Sequence, residues 1–451
     1  MSLPLLASTG RRLEALTATA QAVGRLPSLA CAVLRDGEVA WTDARGTDAS
    51  EHGDVVPGPD VQYRVGSVSK TFTAVLVMQL VAEGVVDLAD PVGRHLPDAP
   101  LRDATVRGLL SHAAGLPAEP AGSWWERSVG SDWDVLAAAN AHVGPVLPVG
   151  QQYHYSNLAF GVLGRLVEVH RGAPWAEVLA ARVLDPLGLD RTGCEPVAPH
   201  ADGFGVEDLT GLLVREPHQD TGAMAPAGQL WSTPRDMVRW LAFLAAPDPA
   251  VLDADGVRAM TRAQSIDPDD PRGGSYGLGL RLSGQPPRVL VGHTGSMPGF
   301  VCGVFVDPRT GVGAACLSNG GSGLDAEGLP RALVDLVLEL EPALPDPWVP
   351  TTAVDDSVRE LLGTWYWGQA PSVMRVEGDG LRFASTSGGR GFTFTRTGDD
   401  TWRGTSGYQS GETLRVVRRA DGTVSHLDVG TFTYTRTPYD PDVPHPGRGW
   451  R

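Results

Sequence analysis

Ser67 and Lys70 stand three residues apart in the stretch Val65-Gly66-Ser67-Val68-Ser69-Lys70-Thr71, and Lys70 is the single lysine in a chain with 36 arginines. Where this sequence needs only positive charge it uses arginine, so Lys70 has to supply something a guanidinium cannot. The difference between the two is the proton. A guanidinium stays charged at any accessible pH, whereas a desolvated ammonium can lose its proton near neutrality and act as a base. Residues three apart at the start of a helix share one face, which sets a hydroxyl beside the amine that activates it. The chemistry this pair suggests is covalent: Ser67 attacks a carbonyl and Lys70 accepts the hydroxyl proton.

Acyl transfer needs more groups from distant sequence, a second proton handler and a group to orient the amine. Two triplets follow in order. Tyr155-Ser156-Asn157 comes after the turn former Pro148-Val149-Gly150, and His293-Thr294-Gly295 follows the apolar run Val289-Leu290-Val291-Gly292. Singly, a loop tyrosine reads as packing and a strand histidine as a satisfied core side chain; company gives them weight. Ser111-His112 lacks a G-x-S-x-G elbow, and Asn319-Gly320-Gly321-Ser322-Gly323 lacks the lysine and hydroxyl of a phosphate loop. Cys31, Cys194, Cys302 and Cys316 have no C-x-x-C spacing, so reduced, partly buried thiols are expected. The chemistry requires no metal and no cofactor.

The elements that must position these groups can be read from pattern. Phe72 to Val81 is apolar on nearly every face and Gly84 stops it. A helix from Ser67 to Gly84 is therefore expected in the middle of a core, with the positive end of its dipole at the nucleophile. A leading helix from about Ser8 precedes a hairpin, Val33 to Trp41, that turns on Asp36-Gly37. Strand-like runs return at 276–282, 289–292, 300–306 and 312–317, before a helix from about Glu327 to Leu340. Strands at both ends with helices between imply one antiparallel sheet flanked by a helical region, an α/β (α+β) arrangement. Four prolines between Glu341 and Pro350 read as a linker. Beyond them about seven short alternating strands, with turns at Asp379-Gly380 and Asp421-Gly422, imply a small closed barrel or sandwich. The expected organisation is a large domain over 1–340, a linker over 341–352 and an all-β domain over 353–451.

A chain of 451 residues exceeds one comfortable core, in keeping with two domains. A formal charge of −16 argues against nucleic acid and anionic membrane as partners, since both reward clustered basic residues. The first residues have no charged n-region and no run reaches membrane-spanning length, so the cytoplasm is the expected location.

Taken together, Ser67-x-x-Lys70, Tyr155-x-Asn157 and His293-Thr294-Gly295 match in kind and order the three motifs of the serine β-lactamases and penicillin-binding proteins. Val86-Asp87-Leu88-Ala89-Asp90-Pro91-Val92, Leu110-Ser111-His112-Ala113-Ala114-Gly115-Leu116-Pro117 and Ala227-Gly228-Gln229-Leu230-Trp231-Ser232-Thr233 resemble the same family. The likeness thus covers residues 25 to 340 and implies a β-lactamase/transpeptidase-like fold. Tyr155 stands where the family's Ser-Asp-Asn has serine, which resembles class C β-lactamases, D-specific aminopeptidases and carboxylesterases. His293 stands where Lys-Thr-Gly has lysine, which resembles the esterase and peptidase members, because a penicillin carboxylate favours a permanent cation there.

The resemblance implies roles. Tyr155 passes the proton to the leaving group and later deprotonates the acyl acceptor; Asn157 hydrogen-bonds Lys70 and the substrate amide. His293 holds Tyr155 and shuttles protons near neutral pH. The backbone N–H groups of Ser67 and Ser296 form the oxyanion hole. Trp124, in a Gly/Ser loop, and Trp231 are candidate walls of the substrate pocket. Gly363-Thr364-Trp365 is similar to lipocalin-like modules fused to some members, among them the penicillin-binding-protein-type thioesterases, which cyclise nonribosomal peptides. That implies a peptide substrate ending in a D-residue, delivered as a thioester by a carrier protein and released by its own amine. The alternative within the family is a D-stereospecific peptidase or carboxylesterase. The alternative of another class is a catalytically silent protein whose barrel holds an apolar ligand. In the tail, Arg448 and Arg451 flank Trp450 and are candidate contacts for a substrate carboxylate or carbonyl.

Overall fold

The computed structural model describes residues 5–46, 57–150, 152–270, 274–345, 347–386, 388 and 391–443. Arg448 and Arg451 lie outside the described residues. The chain divides into two compact units, Met1–Leu344 and Pro345–Arg451.

In the first unit β1 (Ser28–Arg35) and β2 (Glu38–Gly46) form the early hairpin. Four short strands lie mid-chain: β3 (Tyr63–Arg64), β4 (Phe204–Val206), β5 (Leu213–Arg215) and β6 (Trp231–Ser232). Six come late: β7 (Ser265–Ile266), β8 (Ser275–Tyr276), β9 (Arg281–Ser283), β10 (Leu290–Met297), β11 (Phe300–Asp307) and β12 (Val312–Ser318). The early pair joins the six late strands in one antiparallel sheet, ordered β2-β1-β12-β11-β10-β9-β8-β7.

β1 reads as a continuous apolar run because both of its faces are covered. Leu29, Cys31 and Val33 pack with Leu13, Leu333 and Val337, which come from the helices Ala7–Gly24 and Gly328–Leu340. Ala30, Ala32 and Leu34 point the other way, into the core shared with Leu241 of the helix Pro234–Ala245. That same core encloses the helix Ser69–Ala82, buried at every residue from Ser69 to Leu80.

Two features differ from the expected elements. The central helix begins at Ser69, and Ser67 sits just before it in a 3₁₀ turn, Gly66–Val68. The expected strand over 276–282 is broken into β8 and β9 around Gly277–Leu280. Gly279 lies there at φ +75°, and a Cβ on it would come within 2.1 Å of Ala74 Cβ, so the break lets this sheet edge settle onto the central helix.

The second unit is a closed eight-stranded barrel, β13 (Gly363–Trp367), β14 (Ala370–Glu377), β15 (Gly380–Ser385), β16 (Gly391–Gly398), β17 (Thr401–Gly404), β18 (Thr413–Arg418), β19 (Val424–Val429) and β20 (Phe432–Thr435). β19 has no counterpart among the expected strands, since Ser425, His426 and Asp428 dilute its apolar signal. Trp365, Met374, Phe383, Phe394, Trp402 and Leu427 fill the interior. A lumen packed with side chains is a core, which removes the support for a ligand-holding barrel. The Arg436 guanidinium lies 3.7 Å from the Trp365 ring centroid and donates to the Leu362 and Thr364 carbonyls, tying the strand ends around that tryptophan.

Candidate active site

Two glycines bring the nucleophile turn against β10, backbone to backbone. Gly66 adopts φ +49°, and a Cβ there would meet the Ser296 backbone O, N and C at 2.6 to 2.8 Å. A Cβ on Gly295 would fall 1.9 Å from the Val65 carbonyl oxygen. No other residue type allows this approach, which sets the Ser296 peptide beside Ser67. β10 pairs with β9 only as far as Gly292 opposite Arg281. From His293 onward that edge faces a cavity of about 510 Å³, lined by Ser67, Tyr155, Tyr276, His293 and Ser296 among others. A hairpin closed by Met297 opposite Phe300 alternates hydrogen-bonded and non-bonded pairs, which turns the Ser296 N–H away from β11 and toward Ser67. The two residues expected to supply the oxyanion N–H groups, Ser67 and Ser296, therefore belong to segments held in backbone contact.

Lys70 is fully buried. Its Nζ is 2.9 Å from Ser67 Oγ and donates to the Ala227 carbonyl at 2.6 Å. Burial pushes the ammonium down from 10.5 to about 7, against the pull of the Glu119 and Glu126 carboxylates. A neutral amine is thus within reach near neutral pH, able to keep the Ala227 bond while its lone pair faces the Ser67 proton.

Tyr155 is buried beside this pair, with Lys70 Nζ 5.0 Å from its ring centroid. Its hydroxyl makes no hydrogen bond of ordinary geometry, and burial raises its pKa well above 10, opposed by Ser67. It is a neutral phenol, so any proton it moves must come from its own hydroxyl and be replaced afterwards.

His293 departs from its expected role. The Thr294 carbonyl accepts from Nδ1, which assigns the hydrogen to that nitrogen, and Nε2 then accepts from the Tyr276 hydroxyl at 2.8 Å. Its partner is Tyr276, and Tyr155 makes no bond to it; the Tyr155 and His293 ring centroids are 6.1 Å apart. Burial, aided by the charge on Lys70, pushes the imidazole down to about 3. A group that stays neutral across the physiological range shuttles no proton there, so the expected near-neutral relay is corrected to a fixed neutral wall.

Asn157 opens the helix Asn157–Arg171, capped by the Ser156 hydroxyl, and it does not reach Lys70. Its Nδ2 donates to Glu119 at 2.8 Å, while its buried Oδ1 has no partner. The expected bond to Lys70 is replaced by the Ala227 carbonyl, and that free oxygen is an acceptor held in a dry place. Glu119 also accepts from Trp125 Nε1 at 2.7 Å, so this acid ties Asn157 to Trp125. The pocket tryptophans are likewise corrected. Trp231 is buried among Phe300, His200 and His218, away from Ser67, and Trp124 is 62% exposed with its indole on Glu126. Neither lines the cavity at Ser67.

Sequence reasoning missed Glu119, His112 and Tyr276. His112 lies at φ +55° with its ring 4.3 Å from Tyr155 and 4.5 Å from Tyr276. Its Nδ1 accepts the Ser156 N–H, which locks the Tyr155 segment from below. The available signals were faint: an acid just after Leu116-Pro117, and a tyrosine before the Gly277-Leu278-Gly279 break. A larger cavity of about 640 Å³, lined by Trp133, Trp175, Asp220 and Gln229, contains none of the catalytic candidates. Chemistry, not volume, picks out the site at Ser67.

Residues 13–339 match the family model described as Beta-lactamase, and residues 354–436 match a domain of unknown function, DUF7586. The chain is similar to penicillin-binding protein 4 of Amycolatopsis lactamdurans, 30% identical over an alignment 322 residues long that covers 66% of this chain and 81% of that protein. It is also similar to the crystal structure of SurE with D-Leu, at 26% identity and a TM-score of 0.59, covering 96% of this chain and 100% of the other. A D-stereospecific amidohydrolase from Streptomyces sp. is 27% identical with a TM-score of 0.60, covering 76% of this chain and 100% of the other. Among the described residues no helix is long and apolar enough to cross a membrane. The match over nearly all of the first unit, on a fold that places a serine against a buried lysine, shows that the chain belongs to the beta-lactamase family and is one of its serine hydrolases.

Proposed function

We propose that this enzyme takes a peptide ending in a D-residue from an ester or thioester onto Ser67, and releases it by attack of the peptide's own amine, giving a macrocycle. The observation that carries the reading is the likeness to SurE with D-Leu, which extends over both units rather than the first alone. Neutral Lys70 takes the Ser67 proton as Oγ attacks; the Ser67 and Ser296 N–H groups receive the oxyanion. Tyr155 hands its proton to the leaving group and regains one from the entering amine. A cavity of about 510 Å³ suits the few residues around the reacting carbonyl. A carrier protein is the natural donor of such a thioester.

The second reading is hydrolysis, with water as acceptor and the same D-selectivity. It is favoured by the likeness to the D-stereospecific amidohydrolase over the first unit. Incubation with paired peptidyl thioesters ending in D- or L-leucine, followed by mass spectrometry, separates them. Cyclic product from the D-peptide supports cyclisation, and linear acid alone supports the hydrolase. Equal turnover of the L-peptide would sink both.

A further inference from the structure

Tyr155 stands in residues 152–156, which belong to no helix or strand, so contacts must hold it in place. One residue grips both of its neighbours. The His112 carbonyl accepts the His154 N–H at 2.7 Å, and His112 Nδ1 accepts the Ser156 N–H at 3.1 Å. The His112 ring lies 4.3 Å from the Tyr155 ring, centroid to centroid. Offering carbonyl and ring to one loop goes with φ +55°, a backbone state that histidine enters only at a cost. Packing does not account for this residue. His112 is 1% exposed and its Nε2 has no partner, so a leucine or phenylalanine would fill the space without burying an unpaired polar atom. To accept an N–H, Nδ1 must keep its lone pair, which puts the hydrogen on Nε2. Burial, aided by the charge on Lys70, pushes the imidazole well below 6.5, so that lone pair persists across the physiological range. Among the described residues, the bond to Ser156 is the one hydrogen bond this side chain makes.

We propose that His112 is a positioning residue for leaving-group departure: its bond to the Ser156 N–H holds the Tyr155 hydroxyl where the departing atom takes up a proton. The inference rests on the acyl-enzyme reading above and deepens it. In the step concerned, the bond from Ser67 Oγ to the acyl carbon forms and the bond from that carbon to the leaving atom breaks. The Ser67 proton goes to Lys70, the Tyr155 proton goes to the leaving atom, and the proton on Lys70 then restores Tyr155. A leaving group that is stable as an anion departs without that proton, whereas an alkoxide needs it. Loss of the His112 bond therefore appears as a changed dependence on the leaving group. A general loosening of the fold would slow all substrates alike.

The test uses the full chain with the 4-nitrophenyl and ethyl esters of N-acetyl-D-leucine, and follows acylation of Ser67 by quenched-flow mass spectrometry. The readout is the ratio of the two acylation rates, nitrophenyl over ethyl. His112→Phe keeps a ring but removes the acceptor, and should raise the ratio by on the order of tenfold or more. His112→Gly also removes the acceptor and takes the positive φ freely, so it gives the same reading if His112→Phe fails to fold. His112→Asn puts Oδ1 in place of Nδ1 and tolerates that φ, so the ratio should return to within about threefold of wild type. Tyr155→Phe has already lost the proton donor, and adding His112→Gly to it should move the ratio no further. An unchanged ratio in His112→Gly, or one as high in His112→Asn, would overturn the inference while acylation of Ser67 stands. A further rise in the double variant would overturn it too. Failure of both esters to acylate Ser67 would remove the acyl-enzyme reading and this inference with it.

Discussion

Lys70→Met should abolish acylation and yet stabilise the fold, most strongly at low pH. Burial holds the amine at about 7 instead of 10.5. Above pH 10.5 it is neutral in the folded and the unfolded chain, and the shift costs nothing. Below about 7 it is charged in both, and the folded state bears the full penalty. In between the unfolded chain binds more protons, so stability rises with pH by about 1.4 kcal/mol per pH unit. The whole span is about 5 kcal/mol, of which about 4 kcal/mol remains at pH 7.5. Methionine has similar bulk but donates nothing, and the Ala227 carbonyl left alone in the core costs about 1–3 kcal/mol. The net gain is then about 1–3 kcal/mol at pH 7.5, larger at pH 6 and gone near pH 9. Urea titrations of both proteins between pH 6 and 9, followed by circular dichroism, measure it. A Lys70→Met protein less stable than wild type at pH 6, or a gap that does not change with pH, would refute a desolvated lysine as the base.

The same amine should govern the rate: acylation by an activated D-ester should rise with pH through about 7 and then level off, and Lys70→Arg should lose on the order of 10²-fold or more. A pH profile set instead by a group near 6.5 would point back to His293 as the proton carrier. Ser67→Ala should leave the fold intact and eliminate covalent labelling, and intact mass plus peptide mapping would reveal an adduct at Ser69 or Ser111 if the nucleophile were misassigned. Gly66→Ala should cost on the order of 2 kcal/mol or more and most of the acylation rate, because its φ is +49° and the Ser296 backbone occupies the space a methyl needs; a normal thermal melt with full activity would contradict that packing. Tyr276→Phe leaves the buried Nε2 of His293 without its donor and should cost about 1–3 kcal/mol with roughly tenfold slower acylation, checked by calorimetry and stopped-flow kinetics.

Some of this was open to reading because it depends on residue type and local period alone. Of the two permanent-looking cations only lysine can give up its proton near neutral pH, so a single lysine among 36 arginines marked the chemistry before any fold was known. The helix Ser69–Ala82 and the strands β1, β11 and β12 are buried on both sides, and full burial writes itself into sequence as unbroken apolar runs. The barrel was visible as alternation, except at β19, where polar residues broke the period.

What each catalytic candidate touches was another matter. Asn157 looked like a partner for Lys70, but the carbonyl of Ala227 arrives there from a separate segment, and Asn157 turns to Glu119. His293 looked like a proton carrier for Tyr155, but the antiparallel pairing that follows the break at Gly277–Leu280 brings Tyr276 onto it first. Motifs specify which groups are present and in what order along the chain. Partners and proton affinities are set by contacts across the sheet and by the loss of water. Those depend on register, on the close approach that Gly66 and Gly295 permit, and on burial that only the assembled core provides.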